Sequence, residues 1–275
     1  MNDHPNDPDS TVDAIAAGHR AHPARVYNYL LGDKDHFAVD REAAEAMIAA
    51  LPELPLMARA NRAFLRRAVE HLVADLGVTQ FLDIGSGIPT MRNVHEVAQD
   101  LDPTARVVYV DKDAVVAAYS RALLTSTPQG RTAFIQADAT APAALLARPE
   151  LAETLDLTRP VALMLVSVLM YFDDATATDI VSTLVGALPP GSHLVLSHPT
   201  ADFTDPHAVE QARKAGQAAG LTYIPRTRAR IEALFDGLEL CGPGVVPMTR
   251  WRPAISRGPN TGLDVHYYVG VGRKP

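Results

Sequence analysis

Three carboxylates recur at or near the ends of apolar runs, and a glycine turn sits beside the first. Asp83 lies within FLDIGSGIP, where Phe81, Leu82 and Ile84 form a short apolar run of the buried-strand type that Gly85, Ser86 and Gly87 end. Asp111 closes a second run, VVYVD, 28 positions after Asp83, and Asp138 closes a third, TAFIQAD. A glycine turn lets backbone N–H groups approach a ligand closely, and an acid ending the next strand is placed to accept hydrogen bonds from a pair of ribose hydroxyls. The chemistry to expect is recognition of a nucleotide-like ligand at the carboxyl edge of a sheet. His198, Tyr171 and His36 are the candidates for a general base near that edge, each with an ordinary alternative as a half-buried, polar-tipped residue.

Alternating strands and helical crossovers must hold these groups. Strands are expected over 81–84, 107–111, 160–166 and 192–197, with a third in sequence order ending at Asp138 and Ser167 at the carboxyl end of the fourth. Pro89 suits a first helical turn, so the helix after the glycines is expected to begin at Pro89 or Thr90 and run to 101. Further helices are expected over 113–124 and 175–187, and the alternation calls for a parallel sheet with helices on both faces. Upstream, 41–50 and Glu53 to Leu76 read as helices, the second with apolar residues at three- and four-residue spacings and Gly77 as its stop. Arg59, Arg62, Arg66 and Arg67 fall on its other positions, mostly as a solvated face. Beyond His198 come helical patterns at 206–219 and 227–236, the Gly- and Pro-rich CGPGVVP, and a last strand in DVHYYVGVG.

Composition narrows the function. The chain has 275 residues, 47% of them hydrophobic, enough for one large α/β domain. A net charge of -7 disfavours a nucleic-acid partner, whose binding draws on clustered Lys and Arg. One cysteine, Cys241, and ten scattered histidines give no metal-ligand spacing, so no metal is expected. The polar start and the absence of a long apolar run point to no membrane span and a cytoplasmic protein. Residues 1–18, rich in Asp, Asn and Pro, read as a loose tail, 19–78 as an N-terminal helical cap and 79–275 as the α/β domain.

The choice of nucleotide turns on Thr90. A dinucleotide site wants Gly-x-Gly-x-x-Gly, and here the sixth position is Thr90, with no Tyr-x-x-x-Lys pair to support a nicotinamide-dependent oxidoreductase. Asp83, Ile84, Gly85, Ser86 and Gly87 instead resemble the first motif of class I S-adenosyl-L-methionine (SAM) methyltransferases, whose ligand has no phosphate. PARVYNYLLGDKDHFAVD, ARANRAFLRRAV, FLDIGSGIPT, NVHEVAQ, VVYVDKD and PPGSHLVLSH together resemble one SAM-dependent methyltransferase family long catalogued as a domain of unknown function, from about Pro23 to the end. The chain departs from that pattern at Asn28 and Asp33.

The resemblance implies a Rossmann-like, mostly parallel seven-stranded sheet with SAM as cofactor. It implies that Gly85 and Gly87 approach the methionyl part, Asp111 holds the ribose hydroxyls, Asp138 faces the adenine amino group and Ser167 sits near the cofactor. Asp83, Ser86, Lys112 and Ala139 complete the implied cofactor set, with Tyr27 and Tyr29 closing over it from the cap. Plainer roles exist for several: a helix N-cap for Asp138, a core hydroxyl for Ser167, helix docking for the tyrosines. The expected activity is methyl transfer to a small molecule; the alternative is a SAM- or nucleotide-binding regulatory protein without turnover. The aromatic and charged density of 23–40 around Gly32 further suggests a lid, with Phe37 anchoring it to the core.

Overall fold

The computed structural model describes residues 20–90, 92–203, 205–253 and 266–275, so the expected tail at 1–18 lies outside the described residues. Its centre is a sheet built from β1 (Gln80–Ile84), β2 (Arg106–Asp111), β3 (Arg131–Gln136), β4 (Ala162–Val166), β5 (His193–Pro199), β6 (Glu239–Leu240), β7 (Val246–Pro247) and β8 (Tyr267–Arg273). The order is β3-β2-β1-β4-β5-β8-β6, with β7 also on β8. The first five strands are parallel, whereas β8 runs antiparallel to β5. β6 and β7 pair with opposite ends of β8 and are two pieces of one edge position, so the eight strands occupy the seven positions expected.

Period-two alternation divides the core. Phe81, Val107, Met164 and Val195 face one side of the sheet, where helix α3 (Leu54–Ala74) lays down Phe64, Ala68 and Leu72 and helix α4 (Val94–Leu101) adds Val94 and Val97. Leu82, Val108, Leu163 and Leu194 face the other side, against α6 (Pro142–Leu146), α7 (Pro149–Thr154), α8 (Asp174–Ala187) and α10 (Arg228–Ala233). Helix α5 (Ala114–Leu123) follows β2, capped by Asp113, whose carboxylate accepts from the N–H groups of Val115 and Val116.

A third cluster joins α1 (Pro23–Leu31), α2 (Ala38–Ala50), the start of α3 and α9 (Pro206–Ala218) through Val26, Leu30, Ala44, Met47 and Leu221. The cap is thus shared between the N-terminus and a helix far downstream, and α3 serves both cap and sheet. Gly32 ends α1 in the left-handed region, and Asp33 does not take that backbone.

Three sequence expectations change here. The helix after the glycine turn begins at Val94 rather than Pro89, because Arg92 takes a positive φ of 65° and Asn93 becomes the N-cap. Arg67 is buried and donates to the carbonyls of Trp251 and Met248, tying α3 to the C-terminal segment rather than facing solvent. Phe37 does not anchor the cap: it is 46% exposed, with the Arg25 guanidinium over its ring. Val26 and Leu30 do that packing, while Arg25 pairs with buried Asp40 at 2.7 Å.

Candidate active site

A cavity of about 340 Å³ opens at the carboxyl ends of β1, β2, β3 and β4. It is lined by Asp83, Gly85, Ser86 and Gly87 from β1 and its turn, by Asp111 and Lys112 from β2, by Asp138 and Ala139 after β3, and by Ser167 after β4. Tyr27 of α1 lines it from the cap. These are the residues singled out in the sequence, with one exception: Tyr29 lies outside the cavity, its hydroxyl bonded to Glu45 and its ring edge-on to His36. Two residues apart on one helix, Tyr27 and Tyr29 face different directions.

Gly85 has a backbone reason to be glycine. Its φ is +69°, and a Cβ there would stand 2.3 Å from Val168 Cγ2 and 2.8 Å from Val168 Cβ. Gly85→Ala adds left-handed strain to that collision, so it should lower unfolding stability by about 2 kcal/mol or more, read from chemical denaturation. An unchanged midpoint would mean that Val168 yields freely. Ser167 also carries a positive φ, 58°, a strained non-glycine backbone where the chain leaves β4.

Asp111 is held in place by the turn it faces: Gly87 N–H donates to one carboxylate oxygen at 3.0 Å and Asp113 N–H to the other at 3.1 Å. Burial raises its pKa, against the lowering effect of those two N–H groups. Asp83 is raised further, to about 7, chiefly by burial and also by the charge of Asp111, with Arg62 opposing. Asp138 Oδ1 accepts from the backbone and hydroxyl of Thr140, closing a turn, while Oδ2 lies 3.7 Å from Lys112. The cap is clasped to this rim by His22, whose Nε2 lies 3.0 Å from Asp113. Burial raises the Asp113 carboxyl, but His22 and the helix N–H groups more than offset it and hold it at about 2.

Asn61, Arg62 and His22 line the cavity without having been singled out as site residues. Asn61 Nδ2 donates to Tyr27 Oη at 3.0 Å and to Ser167 Oγ at 2.9 Å, and its Oδ1 accepts from Ser197 Oγ at 2.7 Å. Ser167 Oγ in turn donates to Tyr267 Oη at 3.2 Å. The signal was present: Asn61 falls on the apolar stripe of α3, four after Met57 and three before Phe64, where an amide is out of place unless it has partners.

Two candidate bases are misplaced for the role. His198 is fully buried; its Nδ1 donates to the Pro199 carbonyl at 2.8 Å and its Nε2 accepts from Arg226 at 2.6 Å. Burial lowers its pKa to about 4, and both nitrogens are engaged away from the cavity. His36 contacts the Asp33 carbonyl and Arg41 in the cap. Tyr171 does line the cavity, but burial raises its phenol well above the ordinary range. Among the described residues no group of three or more His, Cys, Asp or Glu is arranged to hold a metal, and no helix is long and apolar enough to cross a membrane.

The wall carries both charges: Asp83 and Asp111 stand beside the glycine turn, and Arg62 and Lys112 line the same cavity, a set that suits a zwitterionic amino acid group. The lead into α4 is tied by its own groups, Thr90 N–H donating to Asn93 Oδ1, Asn93 N–H to Glu96 and His95 N–H to Tyr109 Oη. Ser86 Oγ, Thr90 Oγ1 and Asn28 Nδ2 are buried polar atoms on the wall without protein partners, available to an amino acid moiety. A Rossmann-like sheet with such a turn defines a class I methyltransferase architecture.

Comparison with known proteins agrees. The profile of the S-adenosyl methyltransferase family matches residues 9–275, and the chain belongs to this family, whose methyl donor is SAM. A DUF574 family protein from Streptomyces avermitilis MA-4680 is 44% identical, with a TM-score of 0.89 over 94% of this chain and 99% of that one. A protein from Thermobifida fusca YX, proposed to be a methyltransferase, is 36% identical, with a TM-score of 0.85 over 97% of both chains. Magnesium protoporphyrin IX methyltransferase from Synechocystis PCC 6803 with bound SAM shares the fold alone, at 13% identity and a TM-score of 0.52 over both whole chains. No curated protein matches the sequence.

Proposed function

We propose that this enzyme methylates a small-molecule acceptor and that the cavity at the strand ends is its SAM site. The observation carrying this reading is the set of acids and glycines at three consecutive strand ends around one cavity. When bound, SAM supplies a sulfonium methyl group: the acceptor's lone pair forms the new bond to carbon while the carbon–sulfur pair returns to sulfur, leaving S-adenosyl-L-homocysteine. Gly85, Ser86 and Gly87 bring backbone against the methionyl part, and Asp111 accepts from the ribose hydroxyls. Asp138 and Ala139 receive the adenine, with Lys112 at the rim. Asp83 and Arg62, both on the wall, offer opposite charges to an ammonium and a carboxylate. Residues 19–78 act as the cap, and Tyr27 excludes water from the reacting end while Asn61 and the Ala58 carbonyl fix its hydroxyl.

Calorimetry should detect SAM binding and none of NAD; tight NAD binding without SAM would overturn the reading. Incubation with methyl-labelled SAM and a metabolite extract separates an enzyme from a binding protein without turnover, since only the enzyme gives a time-dependent product.

The raised pKa of Asp83 makes a further prediction. Below about 7 its carboxyl is protonated in the free protein, and a cationic ligand favours the ionised form, so SAM affinity should fall as the pH falls. Coupling to one proton gives about tenfold weaker binding at one pH unit below that value than well above it. Asp83→Asn should flatten the profile; a wild-type affinity independent of pH between 5.5 and 8, on the order of one proton's range, would remove Asp83 from the charge balance.

A further inference from the structure

A second cavity, of about 120 Å³, adjoins the first and is not used by the cofactor reading. Pro23, Tyr27 and Tyr171 line both, so the two spaces meet at these residues, beside a hydrogen-bonded seam that runs from Tyr27 through Asn61 and Ser167 to Tyr267. Away from that seam the walls are apolar: Val26, Leu30, Met47, Met57, Met170 and Ala212. Tyr223 and Tyr267 add two more rings. Among the described residues, the charged groups on this wall are paired and its histidine is held neutral. Arg213 is paired with Glu210 through both carboxylate oxygens at 2.7 Å, and burial lowers the pKa of His266, leaving it uncharged at neutral pH.

We propose that this second cavity holds the methyl acceptor, and that the acceptor is an uncharged compound presenting a single aromatic ring to it. The proposal rests on the methyltransferase reading above. The volume is close to that of engineered apolar cavities of roughly 150 Å³ that take up benzene. Tyrosine edges and methionine sulfur favour an aromatic ring over an aliphatic one, through edge-to-face and sulfur–arene contacts. An uncharged occupant follows from described wall residues that offer no counter-charge, because a buried unpaired charge is costly.

The seam sets the orientation. Its hydroxyls are already committed, Tyr27 Oη donating to the Ala58 carbonyl and Tyr267 Oη to Met170 Sδ, and burial raises the phenols of Tyr27, Tyr171 and Tyr267. Such groups orient a heteroatom but do not remove its proton, so the accepting atom reacts through a lone pair it carries when neutral. That atom sits at the Tyr27 and Tyr171 end, toward the first cavity.

Fluorine NMR with para-fluoroaniline, on the full chain saturated with S-adenosyl-L-homocysteine, tests the proposal. Saturable binding is expected, weakened about tenfold or more by Val209→Trp, which crowds this cavity from α9, and by the milder Ala212→Leu. Calorimetric affinity for S-adenosyl-L-homocysteine should stay within about twofold in both variants, since neither residue lines the first cavity. Para-fluorobenzoate and protonated para-fluorobenzylamine should bind about tenfold more weakly than the aniline. If the homocysteine product binds but the aniline does not, or binds equally in both variants, or the charged probes bind as well, the acceptor proposal fails. If S-adenosyl-L-homocysteine itself does not bind, the methyltransferase reading beneath it fails.

Discussion

Asp111→Ala should weaken SAM binding by about tenfold or more, and isothermal titration calorimetry will read the loss directly. A carboxylate accepting from both ribose hydroxyls makes two charge-assisted bonds, each worth about 1.5–3 kcal/mol, so losing one alone reaches the tenfold threshold. The side chain is already held in place at the cavity wall, because Gly87 and Asp113 N–H groups fix both of its oxygens while each oxygen keeps a further lone pair to accept with. Asp111→Asn should fall between wild type and Asp111→Ala, because it keeps an acceptor oxygen but loses the charge. The sheet should survive both changes, since Asp111 lies at a strand end outside either apolar layer. Unchanged affinity in Asp111→Ala would move the ribose contact elsewhere.

The residues that carry this prediction were legible because parallel strands write themselves plainly. Leu82, Val108 and Leu163 belong to short apolar runs, and the polar residue or glycine that ends each run lands at one sheet edge. The strand end at Asp111 and the place of Ser167 just after β4 therefore follow from local patterns alone, whereas the third strand stops at Gln136, two residues short of the expected Asp138, which turns away to hold Thr140. What local patterns miss is long-range satisfaction. Asn61 and Ser167 are 106 positions apart yet share a hydrogen bond, and His198 accepts one from Arg226 across 28 positions. No periodicity encodes such partners. The late start of α4 was hidden for a related reason: Pro89 fits a helix, but Arg92 in the left-handed region and the Asn93 cap override that fit. Phe37 misled because an aromatic side chain suggests burial, while here Arg25 covers one face of the ring and water reaches the rest.

Removing residues 1–40 should abolish SAM binding while a chain begun at residue 19 binds as the full chain does. The shorter deletion keeps His22, which clasps Asp113 at the rim, and all of α1. The longer one takes away His22, Tyr27 and Asn28 from the cavity wall together, and with them the hydroxyl that Asn61 holds in place. An open site leaves water to compete for every polar contact with the ligand and weakens the electrostatic ones. It also uncovers Met47 and Ala58, so some loss of stability is expected, and the thermal transition must be recorded beside the calorimetry. The sheet's own layers do not include α1, and α3, which packs on them, remains. Tyr27→Ala and His22→Ala separate the two contributions with far less loss of packing than the deletion, Tyr27 giving up only its own contacts with the cap cluster: each should weaken binding while leaving the melting transition within a few degrees. If the chain lacking 1–40 is folded and binds SAM as tightly as the whole protein, α1 serves the acceptor or the packing of α2 alone, and its role as a cover for the cofactor is wrong.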